Sequence, residues 1–343
     1  LVGVYTVGLA VGGPVLARIA DRWRQPPVMW AAVALSTAGF GTLAVGGLPL
    51  GVVLVAALLA GLGAPPFEAG LRVLWRDLLP ESQVHAAYTL DIAVQELIFI
   101  FGPLVAVTAV DAGGPAAGLW VTAALQAAGT VWFVTTPAVR AWRGERADRH
   151  WAGPLRSTPM RILLVAVVLT GAGVGALPVA VTRYAQVAGL PSWAGWLLAA
   201  QATGALLGGL ANTRLRIPPR YVAWLAAGLA LGYLPLTLTP APPLMLGLAL
   251  ISGFCLPPVL TATFVTVDEV APRGTAAEAF AWVATAFTAG AAVGAALDGA
   301  VLERTATVAV GFALAPVSIA LAAMVYRWML ARTDEGDHDD RRP

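Results

Sequence analysis

Gly12-Gly13-Pro14-Val15-Leu16-Ala17-Arg18-Ile19-Ala20-Asp21-Arg22-Trp23-Arg24-Gln25-Pro26-Pro27 carries an apolar run into an Asp-Arg pair and further arginine, breaks at two prolines, and yields to a second apolar run from Val28. A helix needs about 20 apolar residues, at roughly 1.5 Å rise each, to cross a hydrocarbon core of about 30 Å. The stretch therefore reads as a short charged hairpin between two membrane helices.

Composition carries that reading to the whole chain. Hydrophobic residues make up 58% and charged residues 12%, with a mean hydropathy of +0.77, against roughly 25% charged in a soluble domain. The chain is expected to be an all-α polytopic membrane protein. All 21 basic residues are arginine. Cys255 is the single cysteine and lies in an apolar run, so no disulfide framework is available. His85, His150 and His338 have no metal-ligand spacing, and neither a metal nor any other cofactor is expected.

Eleven runs are long and apolar enough to span: 1–20, 28–45, 50–74, 86–110, 119–139, 161–181, 193–210, 221–238, 244–267, 276–297 and 306–330. The polar stretch 140–158 divides them, giving an N-terminal bundle over 1–139, a linker over 140–158, a C-terminal bundle over 159–331 and a disordered tail over 332–343. Positions 192 apart agree across the division: Gly12 with Gly204, Arg22 and Arg24 with Arg214 and Arg216, Pro26-Pro27 with Pro218-Pro219, Gly61 with Gly253, Pro65-Pro66 with Pro257-Pro258, and Gly102 with Gly294. One constant offset implies two structurally equivalent halves. The partner of the 161–181 helix then falls before Leu1, so eleven of twelve helices are expected, in a fragment or a mis-started reading frame without a cleaved signal.

With the Asp21 loop placed in the cytoplasm, alternation puts only Arg183 and Arg304 outside, leaving 19 of 21 arginines on one face. Linker and C-terminus are thus expected in the cytoplasm, and the plasma membrane is the expected location.

The Asp21 loop resembles the signature loop of the major facilitator superfamily, Gly-x-Leu-Ala-Asp-Arg-x-Gly-Arg-Arg, with Asp21 and Arg22 in register; Arg24, Gln25 and Pro26 stand where a glycine and two basic residues are usual. The resemblance implies that family's fold, two pseudo-symmetric helix bundles that alternate access around a midplane site. It also implies that Asp21 lies near 276–280, the start of the eleventh helix of the family order, and helps to lock one access state. Gly102-Pro103 is similar to the core of the antiporter motif, Gly-x-x-x-Gly-Pro-x-x-Gly-Gly, with Ile98, Ala106 and Val107 at three of its glycines.

Ionisable and polar side chains within the spans are the functional candidates, since each is costly unless it faces protein or water. Glu96 lies about 15 Å into its helix, near the midplane, where a carboxylate can take and release a proton as access alternates. Gln95, Gln126 and Gln201 lie at or towards the same depth and complete the set of coupling or substrate candidates. Asp21, Arg22, Glu68, Arg72 and Asp91 form the expected cytoplasmic gate or charge network, with Glu68 and Arg72 one turn apart on one helix face. Gly171-Ala172-Gly173-Val174-Gly175 looks nucleotide-like but sits within a span with no strand before it, so close helix packing is expected.

The function expected is secondary active transport of a small, rather apolar molecule by a monomer in the bilayer, with protons as the coupling ion and export as the direction. An uptake carrier for a polar metabolite is the competing reading, and a non-transporting sensor on the same fold is a third. An enzyme such as a lipid-modifying transferase would need clustered His, Asp or metal ligands at one interface; none is present, and nothing points to nucleic acid.

Overall fold

The computed structural model describes residues 1–144, 152–215, 217–305 and 307–339; the side chains of Val2, Glu96, Phe99, Ile100, Pro103, Leu104 and residues 333–339 lie outside the description. The described residues are helical, with 3-10 turns and no strand. The first helices are α1 (Val2–Arg22), α2 (Gln25–Val45), α3 (Leu50–Leu62), α4 (Phe67–Leu78), α5 (Glu81–Thr135) and α6 (Pro137–Ala141). After the linker come α7 (Thr158–Val187), α8 (Trp193–Leu215), α9 (Val222–Tyr233), α10 (Pro242–Gly253), α11 (Leu256–Val270), α12 (Ala276–Thr305) and α13 (Val308–Asp339). Ten segments among the described residues are long and apolar enough to cross a membrane.

Proline placement explains where these elements start and stop. Pro26 and Pro27 fall in the first turn of α2, where the missing N–H has no intrahelical partner in any case, so the helix opens at Gln25 rather than after the prolines. Pro65-Pro66 ends a span that the hydropathy reads as continuous: it divides into α3 and α4, with Pro66 preceding the first residue of α4. Pro257-Pro258 lie in the first turn of α11, and the 244–267 run is also two helices. In α5 the interruption is glycine. Gly113 and Gly114 leave helical geometry, Gly114 at φ +74°, and separate the two spans expected there. At the C-terminus α13 runs to Asp339.

Contacts gather the chain into two compact units that do not follow chain order. One comprises residues 1–82, 97–156 and 271–285, the other residues 83–96, 157–270 and 286–343. Each contains a pair of helices packed backbone to backbone through glycine. In the first unit, a Cβ on Gly8 would meet the Leu58 carbonyl at 2.6 Å, one on Gly12 would meet Leu62, and one on Gly61 would meet Tyr5 and Leu9. In the second, Gly204 meets Leu250, Gly208 meets Phe254, and Gly253 meets Gln201 and Ala205.

The two sets correspond contact for contact, yet with two offsets. Leu58, Leu62 and Gly61 map onto Leu250, Phe254 and Gly253 at 192, whereas Tyr5, Gly8, Leu9 and Gly12 map onto Gln201, Gly204, Ala205 and Gly208 at 196. The constant offset read from the loops thus misplaces Gly12, whose packing counterpart is Gly208. Four residues are about one helical turn, and α8 has one turn fewer than α1 between its glycines and its proline pair.

Candidate functional site

Asp21 lies in the last turn of α1 and is 5% exposed. The first N–H groups of any helix lack intrahelical acceptors, and Asp21 supplies them for α12. The backbone N–H groups of Ala277 and Glu278 donate to its two carboxylate oxygens at 3.2 and 2.8 Å. A carboxylate at a helix N-terminus also meets the positive end of the helix dipole. One turn earlier on α1, Arg18 Nε pairs with Glu278 at 3.1 Å, while Trp282 Nε1 donates to the other Glu278 oxygen at 3.4 Å. Thr285 then donates to the Ala10 carbonyl at 3.3 Å. Both ends of the linker close over this cluster through glycine: a Cβ on Gly144 would strike the Asp21 backbone, and one on Gly153 would lie 2.5 Å from the Glu278 carboxylate.

Arg22 is exposed. Arg72 is 1% exposed and pairs through Nη2 with Glu68 Oε2 at 3.3 Å, the i,i+4 arrangement on α4. Asp91 is half-buried on α5. Among the midplane candidates, Gln126 Oε1 lies 3.0 Å from the Ser36 hydroxyl, which also donates to the Ala60 carbonyl at 2.8 Å, so Ser36 links α2 to both α3 and α5 within one unit. Gln201 donates to the Tyr233 hydroxyl at 2.7 Å. Gln95 Nε2 is buried without a hydrogen-bond partner among the described residues. The Glu96 side chain lies outside the described residues.

Two features escaped the sequence reading. His85 is not in a loop but in the second turn of α5, and its Nε2 lies 3.3 Å from Asn212 Nδ2 on α8. Asn212 also donates to Thr89 at 3.3 Å, Thr89 is 3.2 Å from Thr261, and Tyr88 donates to Asp268 at 2.5 Å. His85 stands at the 192-residue counterpart of Ala277, the first N–H that Asp21 caps. Where the first unit has a carboxylate capping the backbone of α12, the second thus has a side-chain contact between α8 and the start of α5.

The other feature is Asp298. The apolar run of α12 ends at Leu297, which puts Asp298 just past the expected span, but the helix continues to Thr305. Asp298 is consequently about 10 Å inside the helix end, fully buried, with both carboxylate oxygens unpartnered among the described residues.

Three comparisons bear on identity. The family model described as Major Facilitator Superfamily matches residues 1–295. The chain belongs to the major facilitator superfamily. The superfamily match takes in both the Asp21 loop and the start of α12 that it caps. A curated relative, the multidrug efflux pump Tap of Mycolicibacterium fortuitum, is 31% identical over 264 residues, covering 70% of this chain and 64% of the pump, short of two thirds of its length. The fold is shared with solved superfamily structures. A bacterial homologue of the iron transporter ferroportin, in its outward-facing state, superposes with a TM-score of 0.76 at 16% identity, over 96% of this chain and 89% of that one. The Escherichia coli fucose:proton symporter does so with a TM-score of 0.73 at 15% identity, over 95% and 90%. With these relatives, the helical, apolar chain is a multi-pass membrane protein of the superfamily fold.

Proposed function

We propose that the protein is a secondary active transporter that exports a small, rather apolar molecule across the plasma membrane by alternating access, driven by protons. The observation that carries the reading is the Asp21 clamp on α12, a polar contact between residues 256 positions apart in sequence. Hydrogen bonds to a charged group contribute about 1.5–3 kcal/mol each. Two of them amount to the few kcal/mol that separate the conformations of a switching protein, so the clamp can favour one access state without making it permanent.

Three further points support direction and mode. The arginine excess assigns the Asp21 end, the linker and the C-terminus to the cytoplasm. The 31%-identical relative is a multidrug efflux pump, and the midplane candidates Gln95, Gln126 and Gln201 are neutral, which suits an apolar cargo better than a polar metabolite. Glu96, at midplane depth on α5, is the proposed coupling carboxylate.

The test is efflux of a lipophilic fluorescent dye from vesicles carrying an imposed proton gradient. Glu96→Gln is expected to abolish gradient-driven flux while the protein remains monodisperse and folded. Flux unchanged in that variant removes Glu96 from the mechanism.

A further inference from the structure

Asp298 is a fully buried acidic group in the second unit to which the proposed cycle gives no role and the fold gives no partner among the described residues. Its side chain is fully buried, both oxygens lack hydrogen-bond donors, and among the described residues it forms no ion pair. It extends a stripe, Phe287, Gly290, Ala291 and Gly294, along which α12 packs on Val168, Gly171, Ala172 and Gly175 of α7. On the other side its Oδ1 would lie 3.0 Å from a Cβ placed on Gly311 of α13. A carboxylate held among three apolar helices is retained only if something outside the fold balances it, because an uncompensated charge there is strongly unfavourable.

The surroundings decide what that something is. A cavity of about 620 Å³ opens at the far ends of α7 and α12, lined by Pro178, Thr182, Arg183, Gln186, Leu302 and Glu303 among others. Leu302 stands one turn beyond Asp298 on the same face of α12, is itself buried, and presses on the same Gly311. The cavity wall includes Gly299, the residue next to Asp298, as well as Leu302, but not Asp298 itself, whose side chain is fully buried, so no open space reaches the carboxylate. An organic cation or a hydrated metal ion needs room, whereas a proton does not. The charged groups that face this end of the cavity are Arg183 from α7 and Glu303 from α12; α13 contributes Gly311 to the packing around Asp298.

We propose that Asp298 is a proton-binding site of the carrier, loaded from the cavity at the far ends of α7 and α12, with Leu302 as its cover. The proposal rests on the proton-coupled reading, but its test does not need transport. Infrared spectra of the purified protein in liposomes, recorded in H2O and D2O across a pH series, resolve the carbonyl stretch of a protonated carboxyl group and its deuterium shift.

The wild type is expected to show such a band, and Asp298→Asn to lose it. In Leu302→Ala the band remains and its deuterium exchange is faster, because the cover is gone. Identical carboxyl bands in wild type and Asp298→Asn at every pH overturn the proposal. So does an exchange rate unchanged by Leu302→Ala, which decides the matter by itself should Asp298→Asn fail to fold. A wild type that shows the band yet moves no dye counts against proton-driven export and leaves the proton site standing.

Discussion

At the scale of single residues, the clamp is a matter of charge and donor count. Asp21 offers two oxygens to two N–H groups, and an asparagine offers one oxygen and no charge. Asp21→Asn is therefore expected to weaken the clamp by about 1–2 kcal/mol, a roughly 5- to 30-fold shift in the ratio of access states. Single cysteines introduced at the two ends of the helices in a Cys255→Ser background report it: labelling by an impermeant thiol reagent rises at the Asp21 end and falls at the other. Equal labelling in both proteins counts against a lock. Asp21 was legible because its motif resembles the family's signature loop, and that resemblance implies a partner at the start of α12. Glu278 and Arg18 were not legible, since an ion pair between residues 260 positions apart has no local signature. Asp298 was missed for a simpler reason: hydropathy ends the span at the first charge it meets, and here the helix runs on.

At the scale of elements, the close helix pairs are set by where glycine lets two backbones touch. Gly294 packs on Ala172 of α7, while a Cβ on its 192-residue counterpart Gly102 would meet nothing within 4 Å. Gly294→Ala is therefore expected to destabilise the protein by about 1–3 kcal/mol through overpacking. Gly102→Ala is expected to be neutral or to stabilise by up to about 1 kcal/mol from helix propensity. Thermal unfolding of the two variants in detergent separates these outcomes; equal shifts mean that the two glycines share one environment. Gly208→Val is expected to lower stability likewise, since its counterpart contact is with the Phe254 backbone. The repeat in the sequence disclosed these pairs only in part. Loop prolines align at one offset and helix glycines at another, and a sequence comparison that holds a single offset reads the more visible prolines. Likewise Pro65-Pro66 and Pro257-Pro258 are apparent in sequence, but whether a proline pair kinks a helix or starts a new one depends on the geometry before it.

At the scale of the molecule, composition and the repeat were enough for the class of fold, because membrane spans must be apolar for their full length and leave that mark in every segment. The division into compact units was less legible. Residues 83–96 and 271–285 each group with helices of the opposite half of the sequence, and such grouping depends on tertiary contacts that hydropathy does not record. The central claim is that this chain moves a small apolar molecule at the expense of a proton gradient. The most direct test reconstitutes the protein in liposomes with its Asp21 end outward, imposes an acidic lumen, and follows accumulation of a lipophilic fluorescent dye. The account predicts dye uptake that collapses when the gradient is discharged by a protonophore. Uptake equal to that of protein-free liposomes contradicts it.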